Sequence, residues 1–194
     1  MDPIEDVRPE QHEYFMGIAM AVRKRANCLG SRIGALIVMK GRIVSTGYNG
    51  TPENMPNCLE GGCHRCANRD KYQSGTGYDL CICVHAEQNA IISAARFGIA
   101  IEGSTVYSTM RPCFGCTKEM LQAKVAAVYY VHDWSHPNPA HKAEYERLQA
   151  GFPRGIRKLD IDDPEVAWAV GKRPAEVQPA SDLPGHDQHG TQDQ

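Results

Sequence analysis

No apolar stretch among the 194 residues approaches the roughly 20 consecutive positions that a membrane-spanning helix requires. Nor is there an excess of either charge: 21 Lys and Arg against 23 Asp and Glu leave a net charge of -2. That balance gives no electrostatic footprint for duplex nucleic acid or an anionic membrane, although it is silent on a small anionic ligand, which needs only one or two local cations. The opening Met1-Asp-Pro-Ile-Glu-Asp is acidic and lacks the basic-then-apolar layout of a secretory leader, so a cytoplasmic location is expected. Internal repeats and heptads are also missing, which excludes a solenoid or coiled coil.

What is present is an ordinary globular composition, 42% hydrophobic and 23% charged, on a chain long enough for one domain with a real core. Against that background eight cysteines stand out, all but Cys28 crowded between Cys58 and Cys116. In a reducing compartment clustered cysteines point to metal or catalysis before disulfides.

Residues 10–27 carry Tyr14, Phe15, Ile18, Ala21 and Val22 at helical spacing. Two strands, from Gly34 and from Arg42, flank a Lys40-Gly41 turn and read as a hairpin. Residues 50–80 are rich in Gly, Pro and Asn without periodicity, and a loop of that length is functional or tied down by something. A helix is expected over 85–97 with Gly98 as its terminating glycine, and another opened by Pro112 as its first residue. Strands are expected near 104–109, 126–131 and 156–161, with a helix over 140–150. This order predicts an α/β sandwich: a mixed five-stranded sheet with helices on both faces. A single domain over 1–172 is expected, and the Pro-, Asp-, Gln- and His-rich 173–194 should be a disordered tail in which His186 and His189 are solvated.

The chemistry lies in two short stretches, His85-Ala86-Glu87 and Pro112-Cys113-Phe114-Gly115-Cys116, about 25 residues apart. Each falls at an expected helix N-terminus. Cys113 and Cys116, three residues apart, can reach one ion, and the positive end of the helix dipole favours their thiolates. His85 would supply a third ligand. One imidazole and two thiolates suit zinc and leave the fourth position open to water, which separates a catalytic from a structural site. Glu87 cannot share an ion with His85 from the side of a helix, because two residues are about 200° of rotation. At a first turn it can still face the water as a proton shuttle. This pairing of His-x-Glu with Pro-Cys-x-x-Cys is the signature of zinc-dependent nucleobase deaminases.

At these residues the chain resembles the deoxycytidylate (dCMP) deaminase family. Ser31-Arg-Ile-Gly-Ala-Leu-Ile-Val, Gly41-Arg-Ile-Val-Ser-Thr-Gly-Tyr-Asn-Gly-Thr-Pro, His85-Ala-Glu-Gln-Asn-Ala-Ile and Pro112-Cys-Phe-Gly-Cys-Thr-Lys all look like family blocks. The resemblance implies the cytidine-deaminase-like three-layer sandwich, zinc on His85, Cys113 and Cys116, and Glu87 as general acid/base. It implies hydrolysis of dCMP to dUMP and ammonia, supplying dUMP for thymidylate synthesis. It also implies that Asn49 contacts the nucleotide sugar, although an Asn in a Gly-flanked turn equally serves as a turn former. For the 5′-phosphate, Arg32 is the first candidate and Arg111 the second. Many members are homo-oligomers, often hexamers, regulated by dCTP and dTTP.

Some members carry a second, structural zinc. Cys28 and Cys58 match two of its ligand positions, and Cys63 and Cys81 complete a four-thiolate set. Such a site would pin the 50–80 loop. Cys66, Cys83 and His64 are rival ligands, since Cys63-His-Arg-Cys66 itself has metal spacing, and free thiols are the plain alternative. Two other functions compete. One is deamination of another base or cytosine nucleotide (CMP, dCTP or 5-modified dCMP), with tRNA adenosine weakened by the absence of a basic stripe. The other is a non-catalytic zinc scaffold, against which the carboxylate of Glu87 argues.

Overall fold

The computed structural model describes residues 8–72 and 76–169. Its sheet starts from the hairpin of β1 (Gly34–Met39) and β2 (Arg42–Tyr48). Lys40 and Gly41 both take positive φ, 47° and 74°, the two-residue turn whose twist suits a right-handed hairpin. β3 (Thr105–Met110), β4 (Ala127–His132) and the short β5 (Ile156–Lys158) complete the order β2-β1-β3-β4-β5. β1 is antiparallel to both neighbours, and β3, β4 and β5 run parallel. This is the expected mixed five-stranded sheet. β5 holds three residues where six were expected, because the chain leaves the sheet after Leu159 donates to the Tyr130 carbonyl.

Alternation along the buried strands sorts side chains between two cores. Leu36, Val38 and Tyr107 face α1 (Gln11–Arg23), packing with Phe15, Met16 and Ala19. Ile37, Val106 and Val128 face the opposite layer, with Ala90 of α3 (Ala86–Arg96) and Cys116 and Met120 of α4 (Phe114–Gln122). Helices therefore cover both faces. α3 approaches β2 so closely that a Cβ on Gly47 would lie 2.1 Å from the Ala86 carbonyl oxygen and 2.5 Å from the Ala90 nitrogen. Only glycine allows that contact.

α3 ends as expected. Gly98 takes φ 65°, and the N–H groups of Gly98 and Ile99 donate to Ala95 and Ala94, a Schellman termination. α4 differs from expectation: Pro112 stands one residue before the N-cap Cys113 and not inside the helix. The stretch expected to be structureless contains short turns at Cys58–Glu60, Arg69–Lys71 and Tyr78–Leu80 and the single-turn helix α2 (His64–Ala67). α5 (Pro139–Gln149) is capped by Asn138, whose Oδ1 accepts from the Ala140 N–H at 2.9 Å. Among the described residues no helix is long and apolar enough to cross a membrane. The tail expected over 173–194, with His186 and His189, lies outside the described residues.

Candidate active site

The site forms where α3 and α4 begin. His85 and Cys113 are their N-cap residues, both with extended backbone (φ −73°, ψ 159° and φ −70°, ψ 175°), so each side chain leaves the helix end instead of its flank. Their positions are fixed locally. Gly50 and Val84 exchange backbone hydrogen bonds at 3.2 and 2.8 Å, pinning the residue before His85 to the end of β2. The Gln88 Oε1 accepts the His85 N–H at 2.9 Å, and Gln88 Nε2 donates to Glu119 at 2.8 Å, tying α3 to α4. Thr117 Oγ1 donates to the Cys113 carbonyl at 2.8 Å.

His85 Nδ1 lies 3.3 Å from Cys113 Sγ and 3.4 Å from Cys116 Sγ, and all three donor atoms fall within 4.8 Å of one another. A tetrahedral ion with zinc–nitrogen and zinc–sulfur bonds of about 2.0–2.1 and 2.3 Å requires a nitrogen–sulfur edge near ~3.6 Å. The three side chains fit zinc. Hydrogen bonding to Cys113, opposed by burial, pushes His85 up to about 9. Hydrogen bonds from Cys116 and His85 outweigh burial and hold Cys113 down at about 4. A ligating imidazole is neutral, so holding zinc here would require His85 to give up that proton.

Glu87, in the first turn of α3, is 3% exposed. Burial raises its pKa, partly offset by the charge on His85 and a 2.7 Å hydrogen bond from Ser108 Oγ on β3. A carboxyl so placed is suited to giving and taking protons near neutrality. His85, Glu87, Cys113 and Cys116 all line a cleft of 1210 Å³.

The expected nucleotide contacts divide. Asn49 lines the cleft, but its side chain is already engaged: Oδ1 accepts from the Ile33 N–H at 2.7 Å and Nδ2 donates to the Ser31 carbonyl at 2.8 Å. Asn89 similarly donates to the Tyr48 carbonyl at 2.7 Å. Arg111 lines the cleft, with Nε and Nη2 on Gln149 Oε1 at 2.8 and 2.6 Å and Nη1 on Asp133 at 3.2 Å. Arg32 is not among the cleft's lining residues, while Arg65 and Arg69, which sequence reasoning passed over, are. Ser108 was also missed: a serine inside a strand carries no local signal, and only the fold brings it to Glu87.

The other six cysteines gather beside the cleft, in a different grouping from the expected one. Cys28 and Cys58 fall in one four-sulfur group and Cys63 and Cys81 in another, with Cys66 and Cys83 common to both. The expected set of Cys28, Cys58, Cys63 and Cys81 is thus split, and His64 belongs to neither group.

Residues 9–132 match the family described as cytidine and deoxycytidylate deaminase zinc-binding region. The chain belongs to this family. The family-matched stretch takes in every residue of the His-Cys-Cys site as well as Glu87 and Ser108. Deoxycytidylate deaminase of Saccharomyces cerevisiae is 38% identical over 124 residues, 64% of this chain and 38% of its own. The enzyme of the same name from Mycobacterium phage D29 is 35% identical over 131 residues, 63% of this chain and 95% of its own. The chain therefore spans about two fifths of the yeast relative and nearly all of the phage one. The crystal structure of dCMP deaminase from cyanophage S-TIM5, in complex with dCMP and dUMP, superposes with a TM-score of 0.60 at 29% identity, covering 79% of this chain and 99% of that one. The sandwich is that of the family.

Proposed function

We propose that this chain hydrolyses the 4-amino group of dCMP, consuming water and releasing dUMP and ammonia. The observation that carries the reading is the convergence of His85, Cys113 and Cys116 to 3.3–3.4 Å beside a buried glutamate at the wall of one cleft. The phage D29 relative, matched over almost its whole length, and the nucleotide-bound cyanophage enzyme support dCMP over other amines.

Zinc, held by His85, Cys113 and Cys116, supplies Lewis acidity that lowers the pKa of water from 15.7 toward ~7. Glu87 accepts the proton lost by the attacking water and delivers it to the ring nitrogen, then takes the proton of the new C4 hydroxyl and gives it to the amine, which leaves as ammonia as the C4 carbonyl forms. Ser108 holds one carboxylate oxygen, which leaves the other to move protons. Burial keeps bulk water from competing for those protons. Along the cleft wall Arg65, Arg69 and Arg111 supply cations for the 5′-phosphate. Arg65 and Arg69 each donate to one backbone carbonyl, of Thr76 and Leu29, whereas Arg111 spends three nitrogens on Gln149 and the carboxylate of Asp133, so Arg111 is the costliest of the three to redirect. Homo-oligomerisation and a cytoplasmic location belong to the same reading. Eight cysteines, none disulfide-bonded, suit a reducing compartment.

The test is turnover of zinc-loaded protein on dCMP, CMP, deoxycytidine and dCTP. The reading requires dCMP to have the highest kcat/KM. Deoxycytidine reacting as fast as dCMP overturns the monophosphate assignment, and no turnover of any of the four overturns the enzyme.

A further inference from the structure

Six buried or half-buried cysteines take no part in the chemistry above. The sulfurs of Cys28, Cys58, Cys66 and Cys83 lie within 4.8 Å of one another, and so do those of Cys63, Cys66, Cys81 and Cys83. A single tetrahedral ion would use four sulfurs and strand two. We propose that the cluster holds two zinc-type divalent ions, bridged by the thiolates of Cys66 and Cys83. Cys28 and Cys58 are terminal ligands of one ion, and Cys63 and Cys81 of the other.

The spacing carries the assignment. With zinc–thiolate bonds of about 2.3 Å, a tetrahedron has sulfur–sulfur edges near ~3.8 Å. Cys28–Cys66 is 3.8 Å, Cys66–Cys81 3.7 Å and Cys63–Cys81 3.8 Å. The shared edge, Cys66–Cys83, is 4.0 Å. A disulfide would bring a pair to about 2.05 Å, and these pairs stand at nearly twice that. An iron–sulfur cluster spreads its thiolates around an inorganic core and has no use for two four-thiolate sets sharing an edge. Each sulfur of the shared edge lies in contact with terminal sulfurs of both sets, the arrangement two edge-sharing tetrahedra require.

Charge and local structure agree. Two divalent ions and six thiolates carry a net charge of −2, which needs donors. The Leu29 N–H points at Cys58 Sγ and the Gly30 N–H at Cys28 Sγ, both at 3.3 Å, and Arg69 holds the Leu29 carbonyl at 2.8 Å. Such outer contacts orient ligands and lower thiolate basicity. The segments bearing the cysteines are helical turns of three or four residues, too short to persist alone. Two bridged ions would cross-link the segment before β1, the 58–66 turns and the 81–83 segment at one point. Cys83 stands two residues before His85, so the cluster braces a ligand of the active site.

The test is a metal count on the full chain, because the proposal stands whether or not the protein turns over dCMP. Native mass spectrometry of zinc-loaded protein should show two ions beyond the one at the active site, and a Cys113→Ser/Cys116→Ser variant should keep those two. Retention of a single ion by that variant overturns the bridged cluster. Cys28→Ser and Cys63→Ser should each lower the count, since they belong to different ions. A count that falls for one and not the other identifies a mononuclear site and refutes the proposal. Should either variant fail to fold, 113Cd NMR of the cadmium-loaded wild-type chain decides. Two thiolate-range resonances coupled to each other through the shared sulfurs support the cluster, and one uncoupled resonance refutes it.

Discussion

Asn49 separates a nucleotide contact from a structural clamp, and its substitution by alanine is the sharpest measurement of the cleft's construction. Its amide is 5% exposed and spends both ends on backbone, accepting from the Ile33 N–H at 2.7 Å and donating to the Ser31 carbonyl at 2.8 Å. Asn49→Ala removes both bonds and leaves two partners unpaired. A stranded buried polar group costs about 1–3 kcal/mol, and because Ser31 and Ile33 are only half-buried the lower part of that range applies, about 2–3 kcal/mol for the pair. For a domain of this size, where each kcal/mol is worth roughly 2–4 °C, Tm should fall by roughly 4–12 °C. The next residue, Gly50, pairs with Val84 and so fixes His85. kcat should therefore fall along with stability. Thermal unfolding of zinc-loaded protein beside steady-state kinetics on dCMP gives both quantities. An unchanged Tm with a raised KM and intact kcat would refute the clamp and return Asn49 to the nucleotide.

Three further outcomes follow from the same geometry. Glu87→Gln keeps the side chain's shape and its acceptor for Ser108 but removes the proton carrier, so kcat should fall about 10²- to 10⁴-fold with zinc content unchanged; loss of zinc would give Glu87 a structural part instead. Gly47→Ala sets a Cβ 2.1 Å from the Ala86 carbonyl oxygen, where only backbone can give way; forcing α3 off β2 should cost about 1–3 kcal/mol in urea unfolding and move His85 and Glu87 together, lowering kcat. For Asp163, burial alone would raise the carboxyl, but hydrogen bonds from Arg23 and His132 outweigh it and hold the pKa well below the usual carboxylate range. A depressed folded pKa means stability that is present above about pH 4, the unfolded value, and lost as pH falls toward the folded one. Asp163→Asn should therefore be less stable at pH 7 and lose less stability between pH 4 and pH 2 than the wild type, as measured by urea midpoints across that range.

The convergence of His85, Cys113 and Cys116 was legible because it is local. His85, Glu87, Cys113 and Cys116 sit at two helix starts, and helix starts announce themselves through the onset of helical periodicity and, before α4, through Pro112. The sheet was legible for the same reason: alternation and the Lys40-Gly41 turn are short-range signals. What escaped were pairings across the fold. Ser108 reaches Glu87 only because β3 pairs with β1, on which α3 packs, and Asn49 finds Ser31 and Ile33 only because β2 returns beside the start of β1. The cysteines failed in a more instructive way. Choosing four from six assumed one closed site, and no spacing in the sequence tells a thiolate that serves one group from a thiolate shared between two. Cys66 and Cys83 become visible as shared only when α2 and the 81–83 segment are laid side by side.

The placement of the His-Cys-Cys site at two N-caps also has an electrostatic logic. Two helix N-termini bring partial positive charge, about half a unit each, to the same point, which opposes a cation but favours thiolates. Cys113 and Cys116 supply two negative charges, enough to cancel a divalent ion, while His85 adds none. With zinc bound, the centre would be close to neutral, and under the proposed function the helix dipoles would favour the negative charge that develops as water attacks a cytosine ring. A structural site gains nothing from this, since a closed tetrahedron of four thiolates is stable without helix ends. The cysteine cluster beside the cleft shows the contrast: its sulfurs come from turns of three and four residues and the extended segments around them, not from the N-termini of long helices. One chain thus carries two kinds of sulfur site, and the N-termini of long helices stand at the one that the proposed reaction uses, while the other has only the single-turn helix that Cys63 caps.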